Sequence, residues 1–221
     1  MSKAYFLTGT DTEIGKTHTA CALLHAWRNT GLSAVGYKPL AAGAERVGDE
    51  FANEDAVRLH AASSPGFSLA EINPVCLPEP IAPHIAAANT GVRIDLATML
   101  GGYAQLQSRA DRILVEGVGG FCVPLDDDRD TSHLAMALGL PVIMVVGMRL
   151  GCLNHALLTA EAIEARGLRL IGWIANAITP DMPYLEDNVA ALRSRLAARC
   201  LGVLPHGLEP GQAAAHLTLP A

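Results

Sequence analysis

Short apolar runs alternate with stretches whose apolar positions recur every three to four residues. Residues 4–8 form a buried-strand candidate. From Lys16 onward, Ala20, Leu23, Leu24 and Trp27 fall at i, i+3, i+4 and i+7, one helix face, and Gly31 supplies a stop. Residues 34–38 predict a second strand, ended by Pro39. Residues 54–62 read as helix. Leu96, Met99, Leu100, Tyr103 and Leu106 line another helix, with Asp95 as its N-cap. Residues 112–116 are strand-like and close on Gly117-Val118-Gly119-Gly120. Residues 141–146 are apolar throughout and rich in β-branched side chains, the pattern of a strand covered on both faces. A helix over 156–166 follows, with Gly167 behind it, then a strand over 170–176. Leu185, Val189, Leu192 and Leu196 make one more helical stripe, and 201–204 a last short strand before Pro205.

This alternation predicts an α/β fold, a single domain over residues 1–221, with a mostly parallel sheet and helices on both faces. No internal repeat or long linker divides the chain. Residues 63–89, with five prolines, are the least regular and are expected to make an excursion over the sheet edge. Right-handed crossovers place the strand ends, and any ligand, along one rim.

Of 221 residues, 50% are hydrophobic and 17% charged, enough to bury a large core. Sixteen basic against 22 acidic residues leave −6, which argues against a general nucleic-acid binder but not against a locally positive anion site. The most apolar run, 138–148, is short and broken by Gly139, Pro141 and Gly147, so no membrane span is expected. No secretory leader is read at the N-terminus, and a cytoplasmic protein is expected. The five cysteines show no Cys-x-x-Cys spacing, and the histidines no metal-ligand spacing; a disulfide framework and a structural zinc site are both disfavoured. The acidic run Asp126-Asp127-Asp128-Arg129-Asp130 reads as a solvated loop.

The chemistry concentrates in Thr8-Gly9-Thr10-Asp11-Thr12-Glu13-Ile14-Gly15-Lys16-Thr17, between a predicted strand and a predicted helix. Such a loop turns its backbone N–H groups inward, and the helix N-terminus adds positive potential. Lys16 suits the β- and γ-phosphates and Thr17 a Mg²⁺ ion. The general phosphate-loop pattern has four residues between its glycines; here Gly9 and Gly15 are separated by five. Glu116 ends a strand on the same rim, placed either to bind Mg²⁺ or to cap a turn. Lys38 ends the neighbouring strand, as an active-site cation or as a side chain snorkelling to solvent. Asp55 on its own reads as an early-helix acid favoured by the dipole.

The motifs Gly9-Thr-Asp-Thr-Glu-Ile-Gly-Lys-Thr17, Gly36-Tyr-Lys-Pro39, Pro83-His-Ile85, Val115-Glu-Gly-Val-Gly-Gly120, Val146-Gly147, Leu150-Gly-Cys-Leu-Asn-His-Ala156 and Gly172-Trp-Ile-Ala-Asn176, in this order, resemble the dethiobiotin synthetases over nearly the whole chain. The longer phosphate loop is the usual form there. The resemblance implies an ATP-dependent cyclo-ligase acting on 7,8-diaminononanoate, CO₂ and ATP. On that resemblance a carbamate would be phosphorylated to a carbamic–phosphoric anhydride, and the second amine would then close the ureido ring. It implies Lys38 and Lys16 as catalytic residues and Thr17, Asp55 and Glu116 as holders of Mg²⁺. The nucleotide would lie against Glu13, Ile14, Gly15, Lys16, Thr17, His18, Asp55, Glu116, Gly117, Val118 and Gly119. Asn176, Ala177, Pro205, His206 and Gly207 would face its base. Substrate would meet Thr12, Lys38 and, across a homodimer interface, Leu150, Gly151 and Asn154; helix capping is the plainer role for Asn154. No protein nucleophile is needed, because the substrate supplies both amines.

Two positions depart from the family pattern. Ala42 stands where a substrate-contacting serine is common, and His206 where an aromatic residue often flanks the base. The competing readings are a partitioning or septum-placement ATPase and an amidotransferase-type synthetase. The first would show a basic amphipathic tail, yet residues 212–221 contain no lysine or arginine. The second needs a glutamine-hydrolysing domain, for which the length leaves no room.

Overall fold

The structure, a computed structural model, describes residues 3–47 and 50–220. In chain order the elements are β1 (Lys3–Gly9), α1 (Lys16–Asn29), β2 (Ala34–Tyr37), β3 (Leu40–Ala42), β4 (Glu45–Val47), β5 (Glu50–Ala52), α2 (Glu54–Ala62), α3 (Leu69–Ile72), β6 (Val75–Leu77), α4 (Pro83–Thr90) and α5 (Leu96–Leu106). There follow β7 (Arg112–Glu116), α6 (Thr131–Leu138), β8 (Val142–Met148), α7 (Cys152–Ala165), β9 (Leu170–Ala177), α8 (Leu185–Arg195), β10 (Arg199–Leu204) and α9 (Pro210–Ala213).

Six strands form one sheet in the order β10-β9-β8-β1-β7-β2, and every neighbouring pair is parallel. β8 shows why both faces are covered. Ile143 and Val145 enter the core that contains Leu23, Leu24 and Trp27 of α1, whereas Met144, Val146 and Met148 enter the one that contains Cys152 and Ala156 of α7 and Val189 and Leu192 of α8. A strand buried on both faces has no polar alternation, which is what its sequence shows. Tyr5 of β1 stacks on Trp27 of α1 with ring centroids 5.6 Å apart, seating that helix over the central strand.

The predicted strands and helices all appear, with ends shifted by a few residues. α7 begins at Cys152 rather than 156. Its N-cap is Gly151, at φ 95° and without a side-chain cap, so Asn154 lies inside the first turn and does not cap the helix. Asp95 does cap α5, accepting hydrogen bonds from the N–H groups of Ala97 and Thr98. The proline-rich stretch is more ordered than its composition suggests. It contains α3, opened by a Ser68–Glu71 capping box, β6, which pairs in parallel with β3, and α4, started by Pro83 at its first position. Pro fits there because that N–H has no helical partner in any case. α6 had no predicted counterpart; Asp130 caps its start and Gly139, at φ 61°, ends it. Among the described residues no helix is long and apolar enough to cross a membrane. In the acidic run, Asp126 accepts from the Asp128 and Arg129 N–H groups and pairs with the Arg129 guanidinium, making a local turn.

Candidate active site

β1, β7 and β2 lie side by side, with Tyr37 in register with Val115 and Leu7 with Glu116. Their C-terminal ends therefore deliver the loop after Gly9, Glu116 and Lys38 to one rim. The loop closes through two left-handed residues, Glu13 at φ 57° and Gly15 at φ 80°. Gly15 is demanded twice over, because a Cβ there would also lie 2.2 Å from the Asn176 amide nitrogen. That amide donates to the Ile14 carbonyl at 2.9 Å and ties the loop to the end of β9. α1 then starts at Lys16 with no side-chain cap and no acid in its first turn, leaving its N-terminal N–H groups to an anion.

At the centre, the Lys38 ammonium is 2.6 Å from Glu116 Oε1 and 3.0 Å from Asp55 Oδ2. The Thr17 hydroxyl donates to the same Glu116 oxygen at 2.7 Å. Lys38 is 2% exposed and Glu116 fully buried, so Lys38 neither snorkels to solvent nor does Glu116 cap a turn. Burial by itself would push Lys38 down, but the Glu116 and Asp55 carboxylates outweigh it and hold the ammonium above its ordinary value. Burial likewise opposes the Asp55 charge, and Lys38, the Thr17 hydroxyl and Lys16 together keep Asp55 below the usual carboxylate range. Among the described residues Lys16 has no carboxylate in ion-pair contact. It donates to the Asp11 carbonyl at 2.8 Å, and burial first, Lys38 second, push it down to about 8.

A cavity of about 670 Å³ opens over this knot. Thr12, Glu13, Gly15, Lys16, Thr17, His18, Lys38, Asp55, Val118 and Gly119 line it, together with Ala42. Ile14 is buried beneath the loop, and the Gly117 carbonyl approaches Lys38 Nζ at 3.5 Å. Ala177 is buried at the end of β9 beside Asn176. Pro205, His206 and Gly207 are exposed beyond β10 and do not line the cavity. Leu150, Gly151 and Asn154 are also exposed and outside it; Leu150 is fully accessible, while the adjacent Arg149 pairs with Asp11 of the loop. Sequence reasoning missed Asn53, Arg58 and the 80–82 segment as cavity wall. The one available signal was that Arg58 follows Asp55 by three residues and so shares its helix face.

The residues fit a Mg²⁺ ion. Glu116 Oε2 is buried with no hydrogen-bond partner, an unsatisfied acceptor beside the Thr17 hydroxyl and Asp55. Among the described residues no three or more His, Cys, Asp and Glu side chains cluster. Two carboxylates and a hydroxyl suit an ion that keeps water and phosphate oxygens in its shell.

A parallel sheet, a left-handed glycine loop opening onto an uncapped helix and an acid at the tip of the adjacent strand define a phosphate-loop nucleotide-binding α/β protein. Its backbone resembles septum site-determining protein MinD of Pyrococcus horikoshii, solved with Mg-ADP (TM-score 0.57, 18% identity, 93% of this chain and 82% of that one). It also resembles a ParA family ATPase of Chlorobium tepidum (TM-score 0.55, 11% identity, 97% and 90% covered). Residues 3–211 match the family model described as AAA domain. The ATP-dependent dethiobiotin synthetase BioD of Aromatoleum aromaticum is 60% identical over 220 residues, 99% of this chain and 98% of that protein. Its counterpart in Ralstonia nicotianae is 51% identical over 216 residues, with 97% and 94% covered. The chain belongs to the dethiobiotin synthetase family, within the AAA-domain family.

Proposed function

We propose that the chain, acting as one domain in the cytoplasm, uses ATP and CO₂ to close the ureido ring of dethiobiotin from 7,8-diaminononanoate, releasing ADP and phosphate. The observation that carries this reading is the buried Lys38 ammonium, fixed between Glu116 and Asp55 and facing the phosphate loop through Thr17.

CO₂ adds to one amine of the substrate, which loses a proton, and Lys38 holds the resulting carbamate anion. Lys16 and the N-terminus of α1 hold the polyphosphate with its terminal group toward the carbamate. Two anions meet in this step, so fixed positive charge and a fixed line of approach carry the catalysis. The γ-phosphoryl group passes to a carbamate oxygen as the bond to ADP breaks. The second amine then attacks the carbonyl carbon, the C–O bond to phosphate breaks, and the amine's proton departs with the phosphate. Thr17, Asp55 and Glu116 would hold Mg²⁺, which neutralises phosphate oxygens when bound.

Asn176 spends its amide N–H on Ile14, and its Oδ1 is the group offered to the exocyclic amine of adenine, with Ala177 beside it and Pro205, His206 and Gly207 on the outer side. Thr12 would contact the substrate within the cavity. The exposed turn Leu150-Gly151 and Asn154, at the start of α7, would receive the substrate carboxylate of a second copy in a homodimer. The test is purified protein with the diamine, bicarbonate, Mg²⁺ and ATP, followed for dethiobiotin. Absence of product, with ATP turnover indifferent to the diamine, would refute the reading.

A further inference from the structure

The cavity wall carries a cation that the proposed chemistry leaves unused. Lys38 is matched by two carboxylates, and Lys16 is engaged by the Asp11 carbonyl. Arg58 also lines the cavity, and among the described residues its guanidinium has neither a hydrogen bond nor an ion pair. Three positions after Asp55 on α2, it occupies the same helix face, about one turn further along. Its backbone is anchored, since the buried Cys21 thiol of α1 donates to the Arg58 carbonyl at 3.5 Å.

The opposing side chain is His18, in the first turn of α1 next to Thr17 and lining the same cavity. Burial first, and the Arg58 charge second, hold His18 below its ordinary value, while Glu209 at the start of α9 acts the other way. His18 and Arg58 thus line the same stretch of cavity wall beside the phosphate loop. A nucleoside triphosphate brings about four negative charges, more than Lys16 and a divalent ion offset, and a planar guanidinium is suited to phosphate oxygens.

We propose that Arg58 is a nucleotide-binding residue that closes over the polyphosphate chain from α2, on the side of the loop opposite the proposed base contacts. The assignment rests on the reading of this cavity as the nucleotide site. Arg58 sets affinity for the phosphates and takes no part in the bond changes, so it governs KM for ATP and leaves kcat near its wild-type value.

The test is calorimetric titration of full-length wild type, Arg58→Gln and Arg58→Lys with a non-hydrolysable ATP analogue in Mg²⁺ buffer, and separately with adenosine. The Gln variant is expected to bind the analogue about tenfold more weakly, the typical weight of one charge-assisted hydrogen bond, and the Lys variant to recover part of the loss. Adenosine binding and the thermal midpoint without ligand stay at wild-type values. The analogue deficit shrinks in high salt, as screening requires. Equal affinity of Arg58→Gln and wild type for the analogue overturns the assignment, as does an equal loss for adenosine. No binding of the analogue by wild type overturns the nucleotide reading itself, and the role of Arg58 with it.

Discussion

Lys38 and Glu116 stand 78 positions apart in the chain, and their side chains meet at 2.6 Å. The cause is register: β2 and β7 are parallel, with Tyr37 opposite Val115, so the next residue of each strand arrives at the same level of the rim. The pair is buried, and its charges depend on each other. Removing one partner of such a pair costs about 3–5 kcal/mol, because the other is left uncompensated.

Replacing Lys38 with Met is therefore expected to lower the thermal midpoint of the ligand-free protein sharply. Mg²⁺ with a non-hydrolysable ATP analogue should restore much of it, by giving Glu116 and Asp55 a new cation. Nucleotide affinity is expected to stay within a few-fold of wild type while dethiobiotin formation is lost. Thermal shifts with and without ligand, beside a product assay, check this. A loss of nucleotide affinity as large as the loss of turnover contradicts the carbamate role given to Lys38.

Gly15→Ala strains the phosphate loop twice, through its φ of 80° and through contact with the Asn176 amide. We expect a destabilisation of about 1–3 kcal/mol and loss of nucleotide binding. Adding Asn176→Ala removes the contact but not the dihedral strain. The double variant should recover only part of the stability in denaturant titration.

Glu71 joins α3 to the end of α5. Hydrogen bonds from the Ser68 backbone, the Arg109 guanidinium and the Ser68 hydroxyl hold its carboxyl down at about 2. Arg109 also donates to the Gly66 carbonyl and lies 4.6 Å from the Phe67 ring centroid. A carboxylate with a depressed folded-state pKa stabilises the fold fully above its unfolded value, and this contribution is lost as pH falls through the folded one. Glu71→Gln is therefore expected to unfold at a lower temperature than wild type at pH 7. The gap should close between about pH 4.5 and pH 2. Because the pair is partly exposed, salt should also narrow it. Melting curves across pH provide the measurement; a gap that persists at pH 2 contradicts the assignment.

The five thiols are expected to react in order of access. Cys122 is exposed, Cys76 and Cys200 are intermediate, and Cys21 and Cys152 are buried. Burial is also the main cause that pushes the Cys21 thiol up to about 12, so it carries almost no thiolate at neutral pH. A chromogenic disulfide reagent should therefore label Cys122 first and Cys21 only on unfolding, as peptide mapping would show.

What the sequence determined by itself is local. The strands, the helix faces, the Asp95 cap and the strand–loop–helix setting of Lys16 and Thr17 follow from periodicity and glycine placement, which act over a few residues. β3 to β6 escaped notice because three-residue strands have too few positions to show a period. Only the tertiary structure decided that Lys38, Asp55 and Glu116 meet and that Arg58 lines the same cavity. On sequence alone Asp55 fitted an early-helix acid, and Lys38 and Glu116 fitted a surface or turn role as readily as a site role. Parallel register and the packing of α2 against α1 bring them around one loop, and burial then makes the charges of Lys38, Glu116 and Asp55 dependent on one another. A charge has no such partner until distant segments are folded together, and that information is carried by topology rather than by any short stretch of chain.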